Sequence, residues 1–418
     1  MLVRDGLVVD VLAVETVPHS DILVRNGRIA AFGRTGTLTV PAEAVIVEAS
    51  GKVVIPGIIN ARGLVGFVQS PRRPQDHFRR DEVLAQLGTF ASYGVTTTST
   101  LGPDGAVLAE IRKAIGSELF GSVARVVTPI RALSTSTPDA ARLPAIRPTF
   151  QIVESPAAGR QAVDRLIAEG ADLIELRAGA DSGKPGDPGS ASLAVLERAA
   201  HHGRRVMIVA QGEASAARLV RAGARIVAGS ITDAVVSDAF VKLLLESNVV
   251  YAPALTAESV GFEYGDDVPW LDDRFLRRSL QPGIAGTLRG PTRMQQALDP
   301  DRALKLRRFA TALRNLRRIQ EAGVEIGFAS TSGFPGTFQG YSDYREAVLM
   351  KRAGMPAMSV IRAFSTGTAK ALGLEGQRGA LRPGWLADLV ILNANPLDNI
   401  HNLREIHAVF IGGRLAKL

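Results

Sequence analysis

The segment Glu169-Gly170-Ala171-Asp172-Leu173-Ile174-Glu175-Leu176 shows the pattern that decides the fold. A predicted helix ends at a glycine, which supplies the left-handed turn that stops a helix, and an apolar strand follows directly. The same succession occurs around Ala222-Gly223 and Ala322-Gly323, and further apolar runs lie at residues 94–98, 124–127, 205–209 and 249–251. Roughly eight strand–helix units in one chain are typical of a parallel α/β barrel. The sequence therefore predicts a (β/α)8 TIM barrel.

One predicted helix, over residues 299–322, illustrates the helical half of these units. Asp299 is expected to cap it, and Pro300 suits the first helical position. Apolar side chains recur on one face at 3.6-residue spacing; they are Leu306, Phe309, Leu313, Leu316 and Ile319. The helix is therefore expected to pack one face on the barrel.

Short strands separated by turns are predicted at both ends of the chain. Asn26-Gly27 lies between two apolar runs and predicts a tight hairpin, since both turn positions require positive φ. After about residue 374 strand patterns return, at residues 387–392 and 407–413. We therefore expect residues 1–55 and 374–418 to form a composite β-sandwich beside a barrel of residues 56–373.

The composition excludes several classes of protein. With 418 residues, 46% of them hydrophobic and 22% charged, the chain can bury a large core and is not globally disordered. The absence of cysteine excludes disulfides, thiolate metal ligands and a cysteine nucleophile. No segment is apolar enough to cross a membrane, and no apolar leader is recognised, so we expect a cytoplasmic protein. The net charge of +8 permits acidic ligands, but we expect no nucleic-acid partner, because a basic helix face is more often simply solvated.

Three motifs in order along the chain carry a resemblance to a known family. Residues 51–60, GKVVIPGIIN, resemble the approach to a first barrel strand, and Tyr93-Gly94-Val95-Thr96-Thr97 resembles the second strand. Residues 376–392, GQRGALRPGWLADLVIL, followed by Asn395-Pro396-Leu397, resemble a C-terminal signature. Together they resemble the amidohydrolase superfamily, most closely its imidazolonepropionase-like and prolidase-like branch. The resemblance implies a barrel whose C-terminal mouth holds one or two divalent ions for metal-assisted hydrolysis.

The same resemblance implies that the expected metal ligands are substituted. The family places a His-x-His pair on strand one, a carboxylated Lys or Glu on strand four, His on strands five and six, and Asp on strand eight. The matching positions here are Asn60 and Arg62, Glu175, Gln211, Ala228 and Thr331. Arginine cannot bind a cation, and a single carboxylate with neutral amides is not a zinc site. The sequence therefore predicts no catalytic metal and no cofactor.

Glu175 is the one ligand type that remains, and a lone buried carboxylate needs a partner. We expect Arg62 to occupy the space of the lost ion and to pair with Glu175. Arg177 shares the strand face of Glu175 and is the alternative partner. In a third interpretation, ordinary side chains and water fill the pocket.

The remaining candidate residues follow from their positions at the predicted barrel mouth. His77 follows Asp76 in the loop after strand one and is a candidate acid–base group with Glu175 and Arg62. A hydroxyl nucleophile at the end of strand eight would need a neighbouring base. The predicted ligand-binding set is Asn60, Arg62, Arg177, Gln211, Thr331 and Ser332.

Two functions of different classes are consistent with these residues. The first is a non-catalytic structural or regulatory subunit, a pseudoenzyme, which forms a homo-oligomer or a hetero-oligomer with an active amidohydrolase paralogue. The second is a metal-independent hydrolase or binding protein for amide-like or acidic small molecules. An ordinary metallohydrolase with ligands misaligned or borrowed from another chain is the remaining alternative.

Overall fold

The structure is a computed structural model that describes residues 1–67, 78–102, 105–115, 123–177 and 189–416. Its strands are β1 (Leu2–Asp10), β2 (Glu15–Arg25), β3 (Arg28–Arg34), β4 (Ile46–Glu48), β5 (Val53–Pro56), β6 (Ile58–Leu64), β7 (Val95–Leu101), β8 (Arg125–Ile130), β9 (Ala132–Ser134), β10 (Phe150–Ile152), β11 (Ile174–Arg177), β12 (Val206–Val209), β13 (Ile226–Ala228), β14 (Val250–Ala252), β15 (Glu325–Ile326), β16 (Leu389–Leu392), β17 (Ile406–Ile411) and β18 (Arg414–Leu415). Its α-helices are α1 (Arg80–Ser92), α2 (Gly105–Ile115), α3 (Pro156–Ala168), α4 (Gly189–His201), α5 (Glu213–Arg221), α6 (Asp238–Glu246), α7 (Leu255–Ser259), α8 (Ile284–Thr287), α9 (Arg293–Ala297), α10 (Arg302–Glu321), α11 (Tyr341–Arg352), α12 (Ala357–Arg362) and α13 (Thr368–Leu372).

The predicted TIM barrel is confirmed. Strands β6, β7 and β8 form one parallel ladder, and β9, β11, β12, β13, β14 and β15 form the other, with β10 added at its edge. Backbone hydrogen bonds join the two ladders on both sides. Asp172 N–H donates to Thr128 O at 2.8 Å, and Leu64 N–H donates to Ser332 O at 2.8 Å. The second bond lies beyond the end of β15, so the chain after this short strand completes the ring.

Small and branched side chains fill the interior of the barrel. Every second residue of several barrel strands points inward, and these side chains form one buried cluster. It includes Ile59, Ala61, Met207, Ile226, Ala228, Val250, Ala252 and Ala329. Filling by side chains of this kind is what makes such a barrel a packed core rather than a pore. Glu175 of β11 pairs in register with Met207, so it lies beside this cluster.

Helix α10 begins two residues later than the sequence indicates. Asp299 does not cap the helix; it makes a turn of its own, in which Asp301 N–H donates to Asp299 Oδ1 at 2.8 Å. Asp301 precedes the first helical residue, Arg302. Phe309, Leu316 and Ile319 are buried as predicted, whereas Leu306 is exposed.

Both termini contribute strands to one sheet of eight, in the order β18-β17-β16-β5-β1-β2-β3, with β4 paired to β1. The predicted hairpin is confirmed, because Asn26 and Gly27 have φ of 51° and 75° between β2 and β3. Leu389 and Ile391 of β16 belong to an apolar cluster built from both chain ends. The alternate side chains of β16, Val390 and Leu392, join the large cluster that includes the barrel helices. The sheet thus packs one face on the barrel.

None of the helices in the described part of the chain is long and apolar enough to span a membrane.

Candidate functional site at the barrel mouth

A buried ion pair joins the first barrel strand to the fourth. Arg62 of β6 donates from Nε to Oε1 of Glu175 of β11 at 3.1 Å. The exposed fractions of the two residues are 6% and 1%. Strand β11 places Glu175 in the barrel because Leu173, two residues earlier, lies in the interior cluster. The pairing that the sequence predicts for Arg62 is therefore present.

Apolar side chains close over this ion pair. The ring of Phe334, in the segment after strand eight, lies 4.7 Å from Arg62 Cζ, which is a cation–π distance. Leu64, on β6, packs with Phe334 in a buried cluster that also contains Leu101, Ala132, Ala141, Ile146 and Phe150. Arg62 Nη2 is buried and finds no hydrogen-bond acceptor among the described residues. The guanidinium therefore has one satisfied edge, one covered face and one unused donor.

Asn60, which the sequence places in the ligand set, does not share this site. Its Nδ2 donates to Ser330 Oγ at 2.9 Å, and its Oδ1 accepts from Arg62 N–H at 3.0 Å. Ser330 Oγ in turn donates to Asp343 of α11, so the amide is directed toward that outer helix. The ladder between β6 and β7 is irregular between Asn60 and Gly63. This bulge separates Asn60 from Arg62, although a regular strand would place residues two apart on one face.

Asp343 is a buried carboxylate that the sequence analysis missed. It accepts from Ser330 Oγ at 2.9 Å, from Ser332 Oγ at 2.5 Å and from Gly340 N–H at 3.0 Å. Burial raises its pKa to about 7, although these hydrogen bonds oppose the rise. Its position as the third residue of α11, after a glycine, is the only sequence signal that marked it. Because both serines and Asp343 are fully buried, this network fixes strand eight to α11 and does not present a nucleophile.

Thr331, at the predicted aspartate position, has a strained backbone. Its φ is 54°, which β-branched residues rarely adopt. Its N–H donates to Arg62 O at 2.9 Å, and its Oγ1 donates to Ser330 O at 2.7 Å. The hydroxyl is thus used within the chain, beside the ion pair.

Gln211, at the end of β12, lies on the surface and belongs to a different group. Its Nε2 donates to Oε1 of Glu258 at 3.4 Å. Glu258 lies on α7, after strand seven, and is half-buried. Burial raises its pKa to about 7, and the hydrogen bond from Gln211 acts in the opposite direction. Glu258 is a second acidic residue at the mouth that the sequence analysis did not identify.

Two other predicted residues lie apart from the ion pair or outside the described residues. Arg177 places its guanidinium 5.8 Å from the centre of the Phe150 ring. Arg62 is therefore the arginine that pairs with Glu175, and Arg177 was the alternative partner. His77 lies outside the described residues.

The residues at the mouth do not fit a divalent metal ion. Glu175 is neutralised by a guanidinium, Thr331 donates its hydroxyl to a carbonyl, and Ala228 has no donor atom. Gln211 lies on the surface beside Glu258. Within the ranges that the structure describes, no three His, Cys, Asp or Glu side chains come together as a metal-binding group. A catalytic zinc needs about three such ligands, and the described residues do not supply them.

Comparisons with known proteins agree with this architecture. A prolidase-assigned protein from Bifidobacterium longum has a crystal structure with a TM-score of 0.78 and 22% identity, covering 99% of this chain and 94% of that one. The structure of a Xaa-Pro dipeptidase with bound methionine has a TM-score of 0.75 and 20% identity, and the match covers 100% of this chain and 99% of that one. The structure of molinate hydrolase has a TM-score of 0.75 and 16% identity, and the match covers 99% of this chain and 94% of that one. These likenesses show a shared fold.

A comparison with curated proteins finds no match. A sequence model of the amidohydrolase family, in contrast, matches residues 77–416, which is most of the chain. On the strength of that match, this chain belongs to the amidohydrolase family.

Proposed function

We propose that this chain is a non-catalytic member of the amidohydrolase family, which acts as a structural or regulatory subunit. The observation that carries the proposal is the buried ion pair of Arg62 and Glu175 beneath the Phe334 ring. In a metal-dependent hydrolase, the cation at this place generates the nucleophile from water. A guanidinium has no exchangeable ligand position and does not acidify water, so it supplies charge without that chemistry.

The surroundings of the ion pair support the same proposal. Phe334 covers the guanidinium and packs with Leu64 in an apolar cluster, and each of the two is at most 9% exposed. A hydrolase needs room for a substrate carbonyl and an attacking water beside its acid–base group. The hydroxyls of Ser330 and Ser332 are held by Asp343 and are not available for attack.

An activity assay tests this proposal. The fold neighbours include a prolidase and a Xaa-Pro dipeptidase, so the substrates are Xaa-Pro dipeptides, assayed with added zinc, manganese or cobalt. We expect no release of proline above that of a matched protein-free control. Turnover that requires the metal and disappears with a chelator contradicts the proposal.

One observation favours a second function, metal-independent binding of an acidic small molecule at the same mouth. Arg62 Nη2 lacks an acceptor among the described residues, and an unpaired buried donor is costly. A ligand carboxylate would satisfy it in a charge-assisted hydrogen bond. Calorimetric titration with an N-acyl amino acid tests this function, and binding that survives Arg62→Met excludes it.

The proposal includes assembly into an oligomer, either of this chain alone or with a metal-holding paralogue. Met294 and Leu298 on and beside α9 support it, because 65% and 77% of their surface is exposed. Light scattering of the purified chain, with and without the paralogue, tests this part. We expect Leu298→Glu to lower the assembled mass, and an unchanged monomeric mass in every sample contradicts it.

A further inference from the structure

A cavity of about 630 Å³ lies between the terminal sheet and the amino end of the barrel. The β2–β3 turn and the β17–β18 turn form one side of it, and α2 with the start of β8 forms the other. Its lining includes four arginines, Arg112, Arg125, Arg378 and Arg414. None of the described lining residues is Asp or Glu. The cavity is far from the mouth, since β8 begins at this end and the ion pair lies where the strands finish.

Carboxylates next to the cavity neutralise two of these arginines. Arg125 Nη1 binds both carboxylate oxygens of Asp388, at 2.6 and 2.7 Å. Arg112 binds Asp172 through Nη2 and Gly170 O through Nη1. Each pair brings one positive and one negative charge, so neither of these carboxylates is left over to neutralise Arg378.

Arg378 takes part in neither of these ion pairs. Its Nη1 donates to the neutral Thr97 Oγ1 at 3.3 Å, and its Nε is buried without an acceptor among the described residues. Burial lowers the pKa of its guanidinium, and the positive charge of Arg125 lowers this pKa further. Asp388 and Asp172 act in the opposite direction. A cation held beside another cation, with an unused donor, is the electrostatic state that a bound anion relieves.

The Nε of Arg112 provides an independent indication. It too is buried and has no acceptor among the described residues. Two guanidinium groups on different elements, α2 and the segment before β16, therefore line the same cavity, and each has a buried Nε without an acceptor among the described residues. The planar donors of arginine match the oxygens of phosphates and carboxylates.

We propose that this cavity binds a small molecule carrying two or more oxyanion groups, held by Arg378, Arg112 and Arg125. Its volume lies in the range typical of small-molecule sites and exceeds what a single inorganic ion fills. The turn glycines Gly27, Gly412 and Gly413 place no side chains of their own in the cavity. Because the ligand would bridge sheet and barrel, its binding should stabilise the folded chain.

Calorimetry and thermal unfolding with pyrophosphate and with citrate, at constant ionic strength, test this inference. We expect saturable binding near one molecule per chain, weakened by added salt, together with a rise in Tm. Binding of pyrophosphate alone identifies a phosphate site, and comparable binding of both identifies a site for either oxyanion. If neither probe binds, the inference is overturned.

Variants separate binding from a structural role. Arg378→Met should weaken binding by at least about tenfold, and it should not lower the Tm of the ligand-free chain, because a charge repulsion is removed. Arg307→Met, on the exposed face of α10, is the matched control and should bind normally. A Tm lowered by Arg378→Met with the pyrophosphate response intact makes Arg378 structural and contradicts the inference. Arg112→Met gives a second variant that should weaken binding, because it removes the other guanidinium whose Nε lacks an acceptor among the described residues.

Discussion

Arg62 Nε and Glu175 Oε1 are 3.1 Å apart, although 113 residues separate them in the chain. The contact joins the first barrel strand to the fourth, and both side chains are almost completely buried. The positive charge that faces Glu175 therefore comes from the chain itself. Breaking a buried pair of this kind leaves an uncompensated charge, which costs more than the pair contributes when it is intact.

Replacing Arg62 should therefore destabilise the fold strongly. For Arg62→Met we expect the free energy of unfolding, measured with urea, to fall by about 3–5 kcal/mol. The double variant Arg62→Met/Glu175→Met should recover most of this loss, because it removes both charges together.

The matched control for this comparison is Arg198→Met. Arg198 forms an ion pair with Asp164 through Nε at 2.7 Å, but both side chains are partly exposed. Water replaces such a partner, so the loss should be much smaller. Equal losses for Arg62→Met and Arg198→Met would show that Glu175 does not depend on Arg62.

The buried carboxylate of Asp343 should make stability depend on pH. Its pKa of about 7 in the folded chain lies above the ordinary value near 4, so the folded state binds the proton more tightly. Protonated Asp343 therefore contributes its full stabilisation of the folded chain below about pH 4. As the pH rises toward 7 this contribution is lost, and the free energy of unfolding falls by up to about 1.4 kcal/mol per pH unit.

Asp343→Asn should therefore flatten the dependence of unfolding free energy on pH between about 4 and 7. The measurement is urea unfolding of both proteins across this range. Glu346 is also buried, and burial raises its pKa to about 7 as well, so the difference between the two slopes is the informative quantity. Identical slopes would mean that Asp343 does not titrate in this range.

Much of the fold can be predicted from local sequence signals. Glycines that stop helices before apolar strands predict the barrel, and Asn26-Gly27 predicts the hairpin, because each signal reflects a backbone requirement of one or two residues. Asp299 illustrates the limit: it suits a helix cap, but it makes a turn of its own and α10 begins at Arg302.

The candidate site is less predictable for a physical reason. The bulge after Asn60 changes which side chains of β6 face the interior, and strand periodicity does not reveal a bulge. Phe334 reaches the ion pair from a turn, and Asp343 reaches strand eight from the start of a helix; no periodic pattern indicates the direction of either side chain. The pairing of Arg62 with Glu175 was predictable because a buried charge requires a partner.

Gly340, at the start of α11, should tolerate no side chain. Its φ is 75°, and a Cβ there would lie 2.2 Å from the Tyr93 ring. Gly340→Ala should therefore lower the free energy of unfolding by more than about 2 kcal/mol, since both backbone strain and a clash with a buried ring contribute.

Gly376→Ala is the matched control, because Gly376 has φ of 74° but open space around its Cβ position. It should cost only about 1 kcal/mol, the backbone contribution alone. Chemical unfolding of the two variants checks the difference, and equal losses would indicate that the Tyr93 ring does not limit this position.

The most direct test of the central claim is the zinc content of the purified chain. The chain is incubated with excess zinc, freed of unbound metal by gel filtration, and examined by elemental analysis. Because a guanidinium faces Glu175 and the described residues supply no set of three ligands, we predict far less than one zinc ion per chain. One or more tightly held zinc ions per chain, lost on replacement of Glu175, would contradict the account.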